Sequence, residues 1–235
     1  MADSPEVLMM FVVLQSVLLS GVTIGLFFAG VFVMRRLGRK ADYSLVHLGL
    51  ARPRDGFPIG LGLGVIVGFG AFVMSVIVGI ISAVTLQSLG YSAENAAQEP
   101  LMRALSDWMT SNPALAIPIA YLVVAIIGPA VEELVFRGAI FGGLYRLATS
   151  LLGKPLGGET GETNIAWLPF AIAAILSSAA FAVLHLSPVI IVGIFLLAVV
   201  LCALYSYTES LIPTIAAHAT FNSITVTILL IASFA

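Results

Sequence analysis

Charged side chains are scarce in this chain of 235 residues. Asp, Glu, Lys and Arg make up 9% of it, whereas hydrophobic residues make up 60%. A soluble domain contains about 25% charged residues. The shortage therefore excludes an ordinary water-soluble domain and predicts one integral membrane domain over residues 1–235.

Cysteine is almost absent, since Cys202 is the only one. No intrachain disulfide can form, and the position of Cys202 in an apolar run predicts a small buried side chain. The sequence also lacks a Cys/His cluster, the compact His-Glu-x-x-His zinc motif and any internal repeat. These absences argue against a structural zinc site and against a transporter built from inverted repeats.

Long apolar runs predict an all-α, polytopic membrane bundle of six to seven transmembrane helices around an intramembrane polar cavity. The predicted spans are Val7–Met34, Ile59–Leu86, Pro113–Leu152, Ala166–Leu186, Pro188–Tyr207 and Leu211–Phe234. As one helix, the third run would be roughly 60 Å long. It is therefore either one long tilted helix kinked at Pro129 or two shorter helices, which would give a seventh span.

The loops indicate the orientation of the chain in the membrane. Six of the ten basic residues lie in the segment 35–54, which the positive-inside rule places in the cytoplasm. The loop Gln87–Asn112 is net acidic and is expected on the other side, with Ala93–Met109 as an interfacial helix and Trp108 near the headgroups. We expect two N-terminal spans with their loops within 7–112, and a catalytic core within 113–235.

Three charged residues interrupt the third apolar run. They are Glu132, Glu133 and Arg137. A charge at the centre of a bilayer costs roughly 2.5–3.5 kcal/mol on insertion scales, so charges there indicate function. Glu133 and Arg137 are spaced to pair along a helix, which would leave Glu132, turned about 100° away, free to act on water. The alternative is that all three form one structural network.

Two histidines add to these charges. His185 lies 27 residues after the turn expected near Gly158, and Glu132 lies 26 residues before it. Straight helices would therefore place the two at nearly the same depth. His218, with Asn222 one turn later, fits less well, by roughly 20 Å for ideal helices. A shared site then requires irregular backbone in Pro188–Gly193 or strongly tilted spans.

The chemistry of these groups favours hydrolysis. A carboxylate can take a proton from water, an imidazole can share that role, and a second imidazole with an amide can stabilise an oxyanion. The same residues allow an alternative, a catalytic zinc ion held by Glu132, His185 and His218 with one open position. The expected cofactor is therefore either none or zinc.

Three motifs in sequence order carry a family resemblance. They are Glu132-Glu133-x-x-x-Arg137, Phe181-x-x-x-His185 and His218-x-x-x-Asn222. Together they resemble the motifs of the CAAX-processing and bacteriocin-processing (CPBP, or Abi) intramembrane proteases, a family that includes the type II CAAX prenyl endopeptidases. The resemblance extends over about Pro113–Phe234.

The resemblance implies a role for each matching residue. Glu132 and His185 would activate water, Glu133 and Arg137 would support them, and His218 and Asn222 would stabilise the oxyanion. The family is often called a metalloprotease, but we favour a metal-free, glutamate-dependent mechanism for this chain.

The implied function is an intramembrane endopeptidase that cuts near the C-terminus of lipidated or membrane-associated proteins or peptides. Its expected partners are membrane lipid and a peptide substrate, prenylated or not, and no nucleic acid. Phe136 and Phe181 are predicted to line a lipid-accepting groove, and a prokaryotic plasma membrane is the expected location. The alternatives are a transporter or proton-relay protein, and a non-catalytic immunity or binding member of the family.

Overall fold

A computed structural model of the chain describes residues 5–38, 44–90, 99–152, 167–185 and 189–235. These residues form helices, turns and short connections, as the predicted all-α class requires. The seven longer helices are α1 Pro5–Arg36, α2 Phe57–Ser88, α3 Glu99–Ser111, α4 Pro113–Leu151, α5 Trp167–Val183, α6 Ile191–Thr208 and α7 Leu211–Phe234. The turn predicted within Gly153–Asn164 lies outside the described residues.

Five of these helices, α1, α2, α4, α6 and α7, are long and apolar enough to cross a membrane. The prediction of an integral membrane protein is therefore confirmed. Helix α5 is also apolar but has only 17 residues, which is near the lower limit for a span. Of the six to seven spans predicted, five meet the length and composition of a membrane-crossing helix.

Helix α4 is one continuous helix of 39 residues rather than two shorter ones. Two of its segments, Tyr121–Ile127 and Leu134–Phe141, are π-helical, and they enclose the α-helical segment Gly128–Glu133. In a π segment each N–H bonds the carbonyl five residues earlier, and such wide turns are frequent at functional sites. The two glutamates of the first motif thus lie between two irregular parts of one helix.

Helix α2 packs closely on α7 through a row of glycines. A Cβ atom on Gly64 would overlap the carbonyl oxygen of Pro213, and one on Gly68 would overlap that of Ala217. Small residues one turn apart let two membrane helices approach this closely. Because Ala217 immediately precedes His218, α2 helps to position the histidine of α7.

We expect Gly68→Val to lower the free energy of unfolding by about 1–3 kcal/mol, because the new side chain would overpack the α2–α7 contact. The matched control is Gly70→Val on the same helix, where a Cβ meets nothing within 4 Å. Thermal unfolding in detergent compares the two variants. An equal loss of stability in both would contradict the role assigned to the close contact.

The segment 44–56 covers the turn between α6 and α7. The carbonyl of Gly49 accepts a hydrogen bond from the Leu211 N–H at 2.9 Å, and the carbonyl of Ala51 accepts one from the Ser210 hydroxyl at 2.6 Å. Ser210 and Leu211 are 0% and 1% exposed. Helix α7 therefore begins inside the protein, beneath this segment, while Glu209 of the preceding turn is exposed.

Helix α3 corresponds to the predicted interfacial helix Ala93–Met109, but it begins at Glu99, and residues 93–98 of the predicted range lie outside the described residues. Trp108 is only 3% exposed and belongs to a buried cluster with Met9 of α1 and Val226 of α7. Helix α3 therefore packs against the bundle through the face that carries Trp108.

Candidate active site

Glu133 and Arg137 form an ion pair inside the protein. Arg137 Nη1 donates to Glu133 Oε1 at 2.9 Å, and both residues are 0% exposed. Arg137 Nη2 also donates to the carbonyl oxygen of Ala198 on α6, at 3.4 Å. Such additional bonds matter, because a buried pair must offset the cost of removing two charges from water. The pair has the i, i+4 spacing that the sequence indicated.

His218 lies between the two adjacent carboxylates of α4. Its Nδ1 is 2.9 Å from Glu133 Oε1, and its Nε2 is 3.6 Å from Glu132 Oε2. Glu133 Oε1 therefore accepts from both Arg137 and His218, so the ion pair also fixes the orientation of this imidazole. The sequence did not indicate this contact, because nothing in the spacing along α7 shows which residue of α4 it faces.

The two neighbouring glutamates have different surroundings. The Glu133 side chain is fully buried, whereas 35% of the Glu132 side chain is exposed. Successive residues on a helix differ in direction by about 100°, which accounts for the difference. With neutral His218 the two glutamates and Arg137 carry a net formal charge of −1, and protonation of His218 makes the group neutral.

The ring of Phe181 on α5 lies close to three polar side chains of the site. The Arg137 guanidinium carbon lies 4.6 Å from its ring centroid, and the rings of His185 and His218 lie 4.8 and 5.8 Å from it. The sum of the last two distances is an upper limit on the separation of the imidazole centroids. The two histidines are thus well within the ~15 Å beyond which no shared site is feasible.

Phe136 and Phe181, predicted to line a substrate groove, are 6% and 1% exposed. Their rings meet edge to face at 4.9 Å. An aromatic face beside a guanidinium also provides cation–π attraction. In this structure Phe181 supports Arg137 and the two histidines, and its role in a groove stays a prediction.

His185 lies beyond the end of α5, in the turn that follows Val183. Its Nδ1 is 2.9 Å from the carbonyl oxygen of Phe181. A carbonyl can only accept a hydrogen bond, so Nδ1 carries the proton and Nε2 of the neutral ring has a free lone pair. No hydrogen bond or ion pair joins His185 to Glu132, both of which the structure describes.

A hydrogen bond from Asn222 joins α7 to the first π segment of α4, Tyr121–Ile127. Its Nδ2 donates to the carbonyl oxygen of Val124 at 2.9 Å. In a π turn this carbonyl would accept from the residue five positions later, but that residue is Pro129, which has no N–H. Asn222 thus supplies the donor that Pro129 lacks, and its second N–H remains available to another acceptor.

Replacing Asn222 by leucine is expected to lower the free energy of unfolding by about 1–3 kcal/mol, because the carbonyl of Val124 loses its donor. Ser223→Ala serves as the control, since the Ser223 hydroxyl makes no hydrogen bond within the described residues. Thermal unfolding again provides the measurement. If both variants lose the same stability, Asn222 does not have this supporting role.

Among the described residues, Glu132, His185 and His218 do not form a preformed metal site, and the zinc alternative stays a prediction. The residues that the structure describes contain no group of three His, Cys, Asp or Glu side chains placed to hold a metal ion. Each histidine directs its Nδ1 to an oxygen acceptor, Glu133 Oε1 for His218 and the carbonyl of Phe181 for His185, and zinc-ligating histidines commonly make the same bond. The reaction proposed below contains no step through a metal.

Residues 114–224 match a protein-family model described as type II CAAX prenyl endopeptidase Rce1-like. This range contains all three motifs and extends from α4 into α7, whereas α1, α2 and α3 precede it. Neither the curated proteins nor the solved structures gave a match.

Proposed function

We propose that this chain, which carries an Rce1-like type II CAAX prenyl endopeptidase domain over residues 114–224, is an intramembrane endopeptidase that acts near the C-terminus of lipidated or membrane-associated proteins. The observation that carries the proposal is the contrast between the two glutamates. Glu133 is enclosed by Arg137 and His218, while Glu132 stays partly exposed beside the same imidazole. This arrangement leaves one carboxylate partly uncovered by protein, and the proposal places the attacking water there.

In the proposed reaction Glu132 removes a proton from a water molecule, whose oxygen attacks the scissile carbonyl carbon. His185 supports this step through Nε2, the ring nitrogen that its bond to the Phe181 carbonyl leaves unprotonated. When the tetrahedral intermediate collapses, protonated Glu132 returns the proton to the leaving amine. The carboxylate is thus restored at the end of each cycle.

The oxyanion that forms on the carbonyl oxygen needs donors in a site shielded from water. Protonated His218 can provide one through Nε2, because Glu133 Oε1 holds its Nδ1–H and the flanking carboxylates balance its charge. Asn222 can provide the second donor through the N–H that Val124 does not use. Glu133 and Arg137 act as positioning residues in this scheme.

The mechanism that we propose is metal-free. Activity of the reconstituted protein should therefore persist after treatment with EDTA or phenanthroline followed by gel filtration into metal-free buffer. Loss of activity that zinc restores would show that a metal is required, and would replace the water-activation scheme above while leaving the protease assignment intact.

The substrate proposed is a peptide whose C-terminal tripeptide follows a prenylated cysteine. The purified protein in liposomes is incubated with a farnesylated peptide and with its unprenylated twin, and mass spectrometry detects released tripeptide. We expect release from the farnesylated peptide and at least tenfold less from its twin. Equal cleavage of both would contradict prenyl recognition, and cleavage of neither by folded protein would favour a non-catalytic binding role.

A further inference from the structure

A second candidate site lies outside the three motifs, between α2 and α6. It is a groove of about 500 Å³ whose apolar lining includes Ile59, Leu63 and Val67 on α2 and Val200 on α6. Two polar residues, Asp55 and Tyr207, also line it. At 1.5 Å per residue, the stretch from Ile59 to Val67 is about 12 Å long, so the groove can hold part of an extended hydrocarbon chain.

The polar lining marks one end of the groove. The backbone N–H of Arg54 donates to the carbonyl oxygen of Thr208 at 3.1 Å, which places Asp55 beside the end of α6 where Tyr207 lies. The apolar residues continue from there along both helices. The groove thus has the polarity of a lipid site, with a polar end at the loop and an apolar channel leading away from it.

Asp55 is the charged residue that lines the polar end, and Arg52 and Arg54 precede it in the same segment of the chain. Arg52, Arg54 and Asp55 are all exposed. Within the ranges that the structure describes, none of these three side chains makes an ion pair or a hydrogen bond. Nor does Asp55 cap the helix that follows, since α2 begins after Gly56 without a side-chain cap. The carboxylate and the guanidinium groups are therefore available to a ligand.

We propose that this groove binds a phospholipid with a primary-amine headgroup, of the phosphatidylethanolamine type. An acyl chain lies along α2 and α6, the ammonium group donates to Asp55, and Arg54 or Arg52 binds the phosphate, which suits a guanidinium. Phosphatidylcholine fits less well because its quaternary ammonium has no N–H to donate. An anionic lipid would leave the Asp55 carboxylate facing negative charge.

The groove is connected to the candidate active site through packing. Leu204 lines the groove and belongs to the buried cluster that contains Ala217, the residue before His218. The groove and the candidate active site are therefore adjacent to the same packed cluster. The proposal does not depend on the reaction catalysed, because it concerns a different face of α6.

The test is native mass spectrometry of the full-length protein with phosphatidylethanolamine, phosphatidylcholine and phosphatidylglycerol of identical acyl chains. Asp55 is exposed, and an exposed ion pair contributes little, so we expect the ethanolamine lipid to bind about two- to fivefold more tightly than the choline lipid. Asp55→Asn should abolish that preference. Arg54→Gln should weaken binding of the ethanolamine lipid.

Glu209→Gln is the matched control, because it removes a carboxylate from the nearby α6–α7 turn that is not part of the groove lining. It should keep the preference of the wild-type protein. Equal affinity for the ethanolamine and choline lipids, or an unchanged preference in Asp55→Asn, would overturn the proposal. Tighter binding of farnesol than of any phospholipid would also overturn it and would assign the groove to isoprenoid chains.

Discussion

Glu132→Gln is expected to lower kcat/KM for peptide hydrolysis by about 10²–10⁴-fold, the range that general base catalysis contributes. The amide keeps the size of the carboxylate but cannot take a proton from water. Stability should change little, because the Glu132 side chain is partly exposed and makes only the 3.6 Å contact to His218 Nε2. Kinetics with a farnesylated peptide and thermal unfolding measure the two effects.

Glu209→Gln removes a different carboxylate by the same chemical change, from the turn before α7. It is expected to keep full activity. Activity of Glu132→Gln equal to that of this control would show that Glu132 is not the base. A large loss of stability in Glu132→Gln would instead indicate that both glutamates belong to a structural network.

Arg137→Met is expected to lower the free energy of unfolding by about 3–5 kcal/mol, because it leaves the carboxylate of Glu133 buried without its cation. This carboxylate is 0% exposed, and its Oε2 already lacks a hydrogen-bond partner. The double variant Glu133→Leu/Arg137→Met should recover most of that stability, since apolar residues of similar volume often replace a buried pair at no cost.

Activity should not recover with stability in the double variant. Glu133 Oε1 is the acceptor for His218 Nδ1, and without it the imidazole has no fixed orientation. Chemical or thermal unfolding and the peptide assay, applied to both variants, separate the two roles. A double variant as unstable as Arg137→Met would contradict the ion-pair account, and a stable double variant with full activity would contradict the positioning of His218.

The sequence was sufficient to predict the features that depend on the spacing or composition of residues along one helix. The i, i+4 rule predicted the pair of Glu133 with Arg137, and the angular step of a helix predicted that Glu132 would face elsewhere. Hydropathy predicted the places of the apolar helices because the composition leaves few alternatives. These features depend only on neighbours along one helix.

The contact between His218 and the glutamates could not be predicted in the same way. The expected depth mismatch assumed straight helices. In the structure Ser210 and Leu211, where α7 begins, are buried and bonded to the carbonyls of Ala51 and Gly49. Helix α4 has π segments on both sides of the glutamates, and α5 ends before His185. Each departure depends on contacts between segments distant in sequence.

The hydrogen bond from Asn222 to Val124 is a contact for which the sequence contained part of the evidence. A proline inside a long helix leaves one carbonyl without its donor, and an amide on another helix is a suitable replacement. The sequence contained both Pro129 and Asn222. What it did not contain was the π turn, which makes Val124 the residue whose carbonyl needs the donor.

The central claim is that the chain hydrolyses a peptide bond with water activated at Glu132. The most direct test incubates liposomes containing the wild-type protein with a farnesylated C-terminal peptide in ¹⁸O-labelled water, followed by mass spectrometry of the products. We predict a free tripeptide, and one ¹⁸O atom in the new carboxylate of the farnesylated fragment, with neither product from Glu132→Gln. Unlabelled or absent product from folded wild-type protein, or labelled product at the full rate from Glu132→Gln, would contradict the claim.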